Sequence, residues 1–281
     1  MFSDTPRSIA NKEMDVIKRN FFALLQTGAF GKMHHVEPMS AYKWRKLFAM
    51  MGVHDVLQFA LEGYAKQQYQ NVRHIPQPIL HDLKSHPHVS LDETYASSQL
   101  SNKFLNNRLK AIREDEPHAM DTSIETLHAL NIIVHNVEDT LNKGVVLRGI
   151  DDLGMYLRTK GHKVDFVKLE YWLNKLHIET LAQFQGSILI LLLGFEEDEV
   201  PFTKRIMADA KKATLKSVER TAKDTSDKWN FKQDKSLWLH ANSGAIKQSM
   251  RRSFHYLLYA PIETISNLTY KFAKNLSELE E

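Results

Sequence analysis

Residues 126–141, with the sequence TLHALNIIVHNVEDTL, decide the fold class. Apolar residues recur there at alternating steps of three and four, at Leu127, Leu130, Val134, Val137 and Leu141. This period places apolar side chains on one face of an α-helix. Thr122 and Glu125 precede the run at the spacing of a capping box, whose side chains bind free amides of the first helical turn. The segment is therefore predicted to be an amphipathic helix that begins at this box.

Other residues mark where further helices begin or end. We predict a first helix over residues 9–25 that stops at Gly28, and a second helix that begins after Ser40 and continues through Phe59. Asp165 is typical of the residue that caps a helix N-terminus. Gly194 is typical of the left-handed residue that ends a helix, here the apolar helix that follows Thr180. Helices therefore account for most of the chain.

The chain shows no strand-like alternation of apolar and polar residues. It has 11 glycines and 8 prolines in 281 residues, which is few for a fold built from strands and tight turns. We predict an all-α fold, an irregular multi-helix bundle of about ten helices. The expected regions are residues 1–120, 121–202 and 203–281, and together they are expected to form one compact domain.

The composition excludes several classes of function. There is no cysteine, so disulfides, thiolate nucleophiles and cysteine-ligated metal sites are excluded. The longest apolar run, residues 188–193, is far shorter than the about 20 residues that cross a membrane. The first twenty residues lack the apolar segment of a secretory signal. The sequence therefore predicts a cytoplasmic protein that has no membrane partner.

Charge is distributed unevenly along the chain. Residues 170–202 have a net charge of −5, whereas residues 203–252 hold thirteen Lys or Arg against five acids, a net of +8. A basic stretch of this kind can attract a polyanion, with Lys211, Lys212, Arg251 and Arg252 as the candidate contacts. The alternative is a solvated basic helix face that lies beside an acidic neighbour.

The fourteen histidines raise the question of a metal site. Four of them, His74, His81, His86 and His88, lie close together in the sequence, but the regular ligand spacing of a zinc site is absent. We predict neither a metal nor a cofactor. His128 and His135 lie seven residues apart, on one face of the predicted helix, and are candidate ligand-binding residues. The alternative is that both flank a packed apolar stripe.

Known catalytic motifs are absent from the sequence. It contains neither a Gly-rich phosphate loop nor a GxSxG turn, and no order of Ser, His and Asp singles out a triad. Gly186 and Ser187, followed by Glu197 and Glu199, have the spacing of a two-metal nucleotidyltransferase site. Gly194 interrupts the strand that such a site requires, so we interpret this spacing as a coincidence.

The strongest candidate for chemistry is the pair formed by Arg148 and Asp152. The two residues are four apart, so they lie on one face of a helix and can form an ion pair. Asp151 points about 100° away around the helix. The pair can stabilise the fold or contact a ligand, and the sequence leaves both interpretations open.

Several segments resemble one known family. They are TLHALNIIVHNVEDTLNKGVVLRGIDDLGMYL, KVDFVKLEYWLNKLHI and LLGFEEDEVPF, together with FFALLQTGAFGK and WRKLFAMMGVHDVLQFALEG near the start and RRSFHYLLYAPIETI near the end. These segments are similar to the helical N- and C-terminal parts of a family of uncharacterised bacterial nucleotidyltransferases, in the polymerase-β-like superfamily. Arg148 and Asp152 match positions of that family's pattern.

The catalytic core of that family has no counterpart here. In the family it lies between the N-terminal helices and the His-containing helix, where this chain has only residues 102–125, NKFLNNRLKAIREDEPHAMDTSIE. The resemblance therefore implies a core-deleted relative, a helical protein without catalytic activity that binds a protein or polyanion partner. The alternatives are an active nucleotidyltransferase with an unrecognised site and a nucleic-acid-binding helical protein.

Overall fold

The computed structural model describes residues 14–68, 92–230 and 256–277, with the backbone alone for residues 67–68, 92–94, 220–230 and 271–277. These ranges contain eleven α-helices and no β-strand, so the predicted all-α class is confirmed. The α-helices, in chain order, are α1 (Val16–Phe30), α2 (Ala41–Val53), α3 (Leu57–Gln68), α4 (Asp92–Ser97), α5 (Lys103–Asp115), α6 (Ile124–Lys143), α7 (Leu147–Lys160), α8 (Phe166–Lys175), α9 (Glu179–Leu193), α10 (Ala208–Asn230) and α11 (Pro261–Ser277). Short 3-10 turns lie at Glu116–His118, Gly161–Lys163 and Glu197–Glu199.

Helix α6 forms the centre of the bundle and contacts α4, α7, α8 and α9. Its predicted apolar stripe is buried, with Leu130, Val134 and Val137 fully enclosed. The capping box predicted at its start is wrong. Ser123 is the N-cap and makes no side-chain capping bond. Its amide instead donates to the Glu116 carboxylate at 2.6 Å, so a residue from a neighbouring turn takes over part of the capping role.

Helices α1 and α3 make the most extensive helix–helix contact. A Cβ added to Gly28 would lie 1.8 Å from the Phe59 carbonyl oxygen, and one added to Gly63 would lie 2.3 Å from the Leu24 oxygen. The prediction that α1 stops at Gly28 is therefore wrong, because this glycine serves close helix packing. The helix ends three residues later at Gly31, whose φ of +67° is left-handed.

The helix predicted from Ser40 through Phe59 is divided into α2 and α3. Ser40 does cap α2, accepting from the Lys43 amide at 3.4 Å. The chain then turns at Asp55, which has a φ of +55°, before α3 begins. The turn leaves the carbonyl of His54 pointing at α7, where it accepts from the Arg148 amide at 3.2 Å. The turn between α2 and α3 therefore contacts α7 at Arg148.

Two predicted helix ends are confirmed by their geometry. Asp165 caps α8 by accepting from the Lys168 amide at 2.9 Å. Gly194 ends α9 with a φ of +76°. None of the helices in residues 14–68, 92–230 and 256–277 is both long and apolar enough to cross a membrane. Several residues considered from the sequence lie outside the described residues: Ile9, His74, His81, His86, His88, Arg251 and Arg252.

Candidate functional site

The structure pairs Arg148 and Asp152 within the first half of α7. Arg148 Nε lies 2.9 Å from Asp152 Oδ2, and the two side chains are 14% and 11% exposed. The guanidinium carbon of Arg148 also lies 5.0 Å from the centre of the Phe59 ring of α3. The side chain of Arg148 therefore contacts both a carboxylate on its own helix and an aromatic face on a neighbouring helix.

Tyr95, on α4, is the second hydrogen-bond donor to Asp152. Its hydroxyl donates to Oδ2, the same oxygen that Arg148 contacts. Burial, followed by the nearby charge of Asp152, raises the pKa of Tyr95, so the phenol keeps its proton. Burial also raises the pKa of Asp152, and the hydrogen bonds from Tyr95 and Arg148 oppose that rise. Asp152 therefore connects α4 to α7.

His135, on α6, joins the same cluster through the Tyr95 ring. The two rings meet edge to face, with their centres 4.9 Å apart. His135 Nδ1 lies 2.8 Å from Ser98 Oγ, and Nε2 lies 3.8 Å from Asp139 Oδ2. We call the set of Tyr95, Ser98, His135, Arg148 and Asp152 the polar cluster. It contains three of the four ligand-binding candidates. No local pattern in the sequence points to Tyr95 or Ser98.

His128 lies apart from the polar cluster. It is exposed near the start of α6, about 10 Å along the helix axis from His135. Its ring lies edge to face against Tyr156, with the centres 6.4 Å apart. The Tyr156 hydroxyl donates to the Glu125 carbonyl at 3.1 Å. His128 therefore takes part in the packing of α6 against α7 and is separated from the other candidates.

Ser98, His135 and Asp139 have the side-chain types of an acyl-transfer triad. Such a site needs amides that are free to bind an oxyanion, usually those beside the nucleophile. Here the Ser98 amide donates to the Tyr95 carbonyl at 3.3 Å, and the Gln99 amide donates to Glu138 Oε2 at 3.2 Å. The distance of 3.8 Å between His135 and Asp139 also exceeds a hydrogen bond. The geometry favours a structural role.

Asp151, on α7, is an acidic residue in an unusual, fully buried position. Its side chain is fully buried, and neither carboxyl oxygen has a hydrogen-bond partner among the described residues. Burial, followed by the negative charge of Asp152, raises the pKa of Asp151 well above its ordinary value, against the opposing charge of Arg148. Full burial without a hydrogen-bond partner favours the protonated, neutral form of this carboxyl. The chain therefore buries an acid whose neutral form is favoured beside an ion pair.

Replacing Asp151 by Asn is expected to increase stability at pH 7. The pKa of Asp151 is higher in the folded chain than in the unfolded chain. Between these two pKa values the folded chain binds one proton more than the unfolded chain, so the stability of the native protein falls as pH rises through that interval. Each pH unit of the interval corresponds to about 1.4 kcal/mol. Urea unfolding at about pH 4 and pH 7 should show that the difference in free energy of unfolding between the Asn variant and the native chain is smaller at the lower pH. An Asn variant that is less stable at both pH values would contradict a neutral Asp151.

The remaining candidates lie on other surfaces. On α10, Lys212 is exposed and Lys211 is half-buried. Glu199 does not form a metal pair with Glu197, because it lies in a 3-10 turn and accepts from Arg158 Nε at 2.9 Å. Within the described residues, no group of three His, Asp or Glu side chains is placed to hold a metal ion.

Comparison of the chain with family models, curated proteins and solved structures found no match. The resemblance to bacterial nucleotidyltransferases therefore stays a prediction.

Proposed function

We propose that this chain is a non-catalytic helical protein, a core-deleted relative of nucleotidyltransferases, that binds a polyanionic partner through α10. The non-catalytic part of the proposal is supported by the contacts that the residues of the polar cluster make with one another and with Phe59. Arg148 contacts Asp152 and Phe59, Asp152 accepts from both Arg148 and Tyr95, and these contacts join α3, α4 and α7. Polar groups that contact one another in this way stabilise helix packing and leave little capacity for a substrate.

The basic surface of α10 supports the binding part of the proposal. Glu219, an acid on α10 itself, already has a partner, because it accepts from Lys18. Lys212 and Lys216 are both exposed and lie four residues apart, so they share one face of the helix. Exposed cations on one helix face are suited to a line of phosphate or sulfate groups, whose binding releases counterions.

Replacing Lys212 and Lys216 together by Gln is expected to weaken binding to single-stranded DNA and to heparin. For single-stranded DNA, the plot of log affinity against log salt concentration should become less steep. The magnitude of its slope should decrease by about 1 to 2, since each phosphate contact contributes about 0.7. Fluorescence anisotropy across a salt series measures this slope. The matched control is Lys103→Gln with Lys110→Gln, which removes the same charge from exposed positions of α5.

Equal losses in the two double variants would show that net charge alone attracts the polyanion and would contradict a site on α10. Absence of binding to either polyanion, with capture of a protein partner instead, would also overturn the polyanion assignment.

Incubation with magnesium and labelled nucleoside triphosphates tests the non-catalytic part of the proposal. We expect no incorporation of label, and incorporation that is lost in Asp152→Asn would show that the polar cluster is catalytic.

A further inference from the structure

A cavity of about 440 Å³ lies between α1, the irregular segment 31–40 and the end of α9, away from the polar cluster. We call it the α1–α9 cavity. Its apolar wall consists of Phe22 and Ala23 from α1 and Ile190, Leu191 and Leu192 from α9. The volume falls in the range of about 300 to 1,000 Å³ that is usual for small-ligand sites.

The irregular wall of the cavity is held in place by hydrogen bonds to α1. Asn20, only 1% exposed, exchanges two bonds with the backbone of Glu37, each 2.8 Å long. Thr27 Oγ1 donates to the Lys32 carbonyl at 2.9 Å. Segment 31–40 is thus fixed at two points although it has no regular secondary structure. Because this wall is already ordered, less conformational entropy is lost when a ligand binds.

Charge in the α1–α9 cavity favours an anion. Arg19 and Glu37 form a two-bonded pair, with distances of 2.6 and 3.0 Å, so their charges offset each other. Among the charged residues that line the cavity, Lys32 forms no ion pair with a carboxylate of the described residues. Its ammonium donates to the Gly194 carbonyl at 3.1 Å. An ammonium has three donors, so it can also bind a ligand oxygen.

The position of the charge also fixes the orientation of a ligand. The end of α9 has a partial negative charge, but Gln26 donates to the Leu192 carbonyl at 2.7 Å and Lys32 donates to Gly194. His34 and His35 line the cavity beside Lys32. An anionic group therefore fits beside Lys32 and the histidines, while a hydrocarbon chain fits against the apolar wall.

We propose that the α1–α9 cavity binds a small amphipathic carboxylate, with its hydrocarbon part against Phe22 and Ile190 and its carboxylate beside Lys32. This inference does not depend on polyanion binding at α10, since the two sites share no residue. The ligand class follows from an apolar wall, a preformed shape and one surplus positive charge in the same cavity.

The test compares decanoate, decanol and decyltrimethylammonium by isothermal titration calorimetry on the full chain at neutral pH. The two ionic compounds are kept below their critical micelle concentrations, and decanol is kept below its solubility limit. We expect decanoate to bind at least about tenfold more tightly than decanol, and the cationic compound to bind least. Lys32→Met should reduce the affinity for decanoate to that for decanol, whereas Lys32→Arg should retain the preference. Lys110→Met, at an exposed position of α5, is the control for net charge and should change neither affinity.

A second variant tests the location of the site. Ala23→Leu adds volume to the apolar wall and should weaken decanoate and decanol alike by about tenfold or more, with unchanged helical circular dichroism. Equal affinity for decanoate and decanol in the native chain would overturn carboxylate recognition. Preference for the cationic compound, or no binding of any of the three, would overturn the proposal as a whole.

Discussion

Asp152→Ala is expected to lower the free energy of unfolding by about 3 to 5 kcal/mol, the range found when one partner of a buried ion pair is removed. The variant leaves the guanidinium of Arg148 on Phe59 without its carboxylate and leaves the Tyr95 hydroxyl without its acceptor. Both groups are largely buried, so water can replace the lost contacts only in part. Urea unfolding followed by circular dichroism gives the difference.

The matched control replaces the whole pair by apolar side chains. Arg148→Met combined with Asp152→Leu removes both charges, so no unpaired charge stays buried, and this double variant should be more stable than Asp152→Ala. If Asp152→Ala unfolds at the same urea concentration as the native chain, the pair does not hold the helices together. A ligand-binding role for the pair would then be the better interpretation.

Gly28→Ala is expected to cost at least about 3 kcal/mol, at the upper end of what overpacking costs. The added Cβ would lie 1.8 Å from the Phe59 carbonyl oxygen and 2.6 Å from its carbon, both of which are backbone atoms. Backbone cannot move aside as a flexible side chain can, so α1 and α3 must separate. Because Phe59 also packs under Arg148, the displacement should reach the polar cluster.

Gly52→Ala is the control for this prediction. Gly52 lies in α2, is exposed, and has no atom within 4 Å of an added Cβ. Alanine there should increase stability by up to about 1 kcal/mol, because it favours the helix more than glycine does. Thermal unfolding of the two variants separates packing from propensity. A Gly28→Ala variant as stable as Gly52→Ala would show that α1 and α3 do not meet this closely.

Local features of the sequence predicted much of the fold. The alternating steps from Leu127 to Leu141 gave α6 its buried face, because helical periodicity depends only on neighbouring residues. Asp165 and Gly194 are helix ends for local reasons, the capping bond of a carboxylate and the left-handed backbone of glycine. The contact between Arg148 and Asp152 was predictable because both residues are on one helix.

Features that depend on which helices meet were not predictable. Tyr95 is 57 residues from Asp152, and Ser98 is 37 residues from His135, so no local spacing connects them. Gly28 shows the same difficulty: a glycine can end a helix or allow close packing, and only the position of α3 decides between the two. The start of α6 depends in turn on Glu116, a residue of a preceding 3-10 turn.

The polar cluster stabilises the fold by joining α4 to α7 through the hydrogen bond from Tyr95 to Asp152. This role is tested most directly by a double-mutant cycle with Tyr95→Phe and Asp152→Ala, in which four urea unfolding curves give the coupling free energy of the two side chains. We expect a coupling of about 1 to 3 kcal/mol, since the hydroxyl donates to a largely buried, charged carboxylate. A coupling below about 0.3 kcal/mol would mean that the two substitutions act independently, and it would contradict the claim.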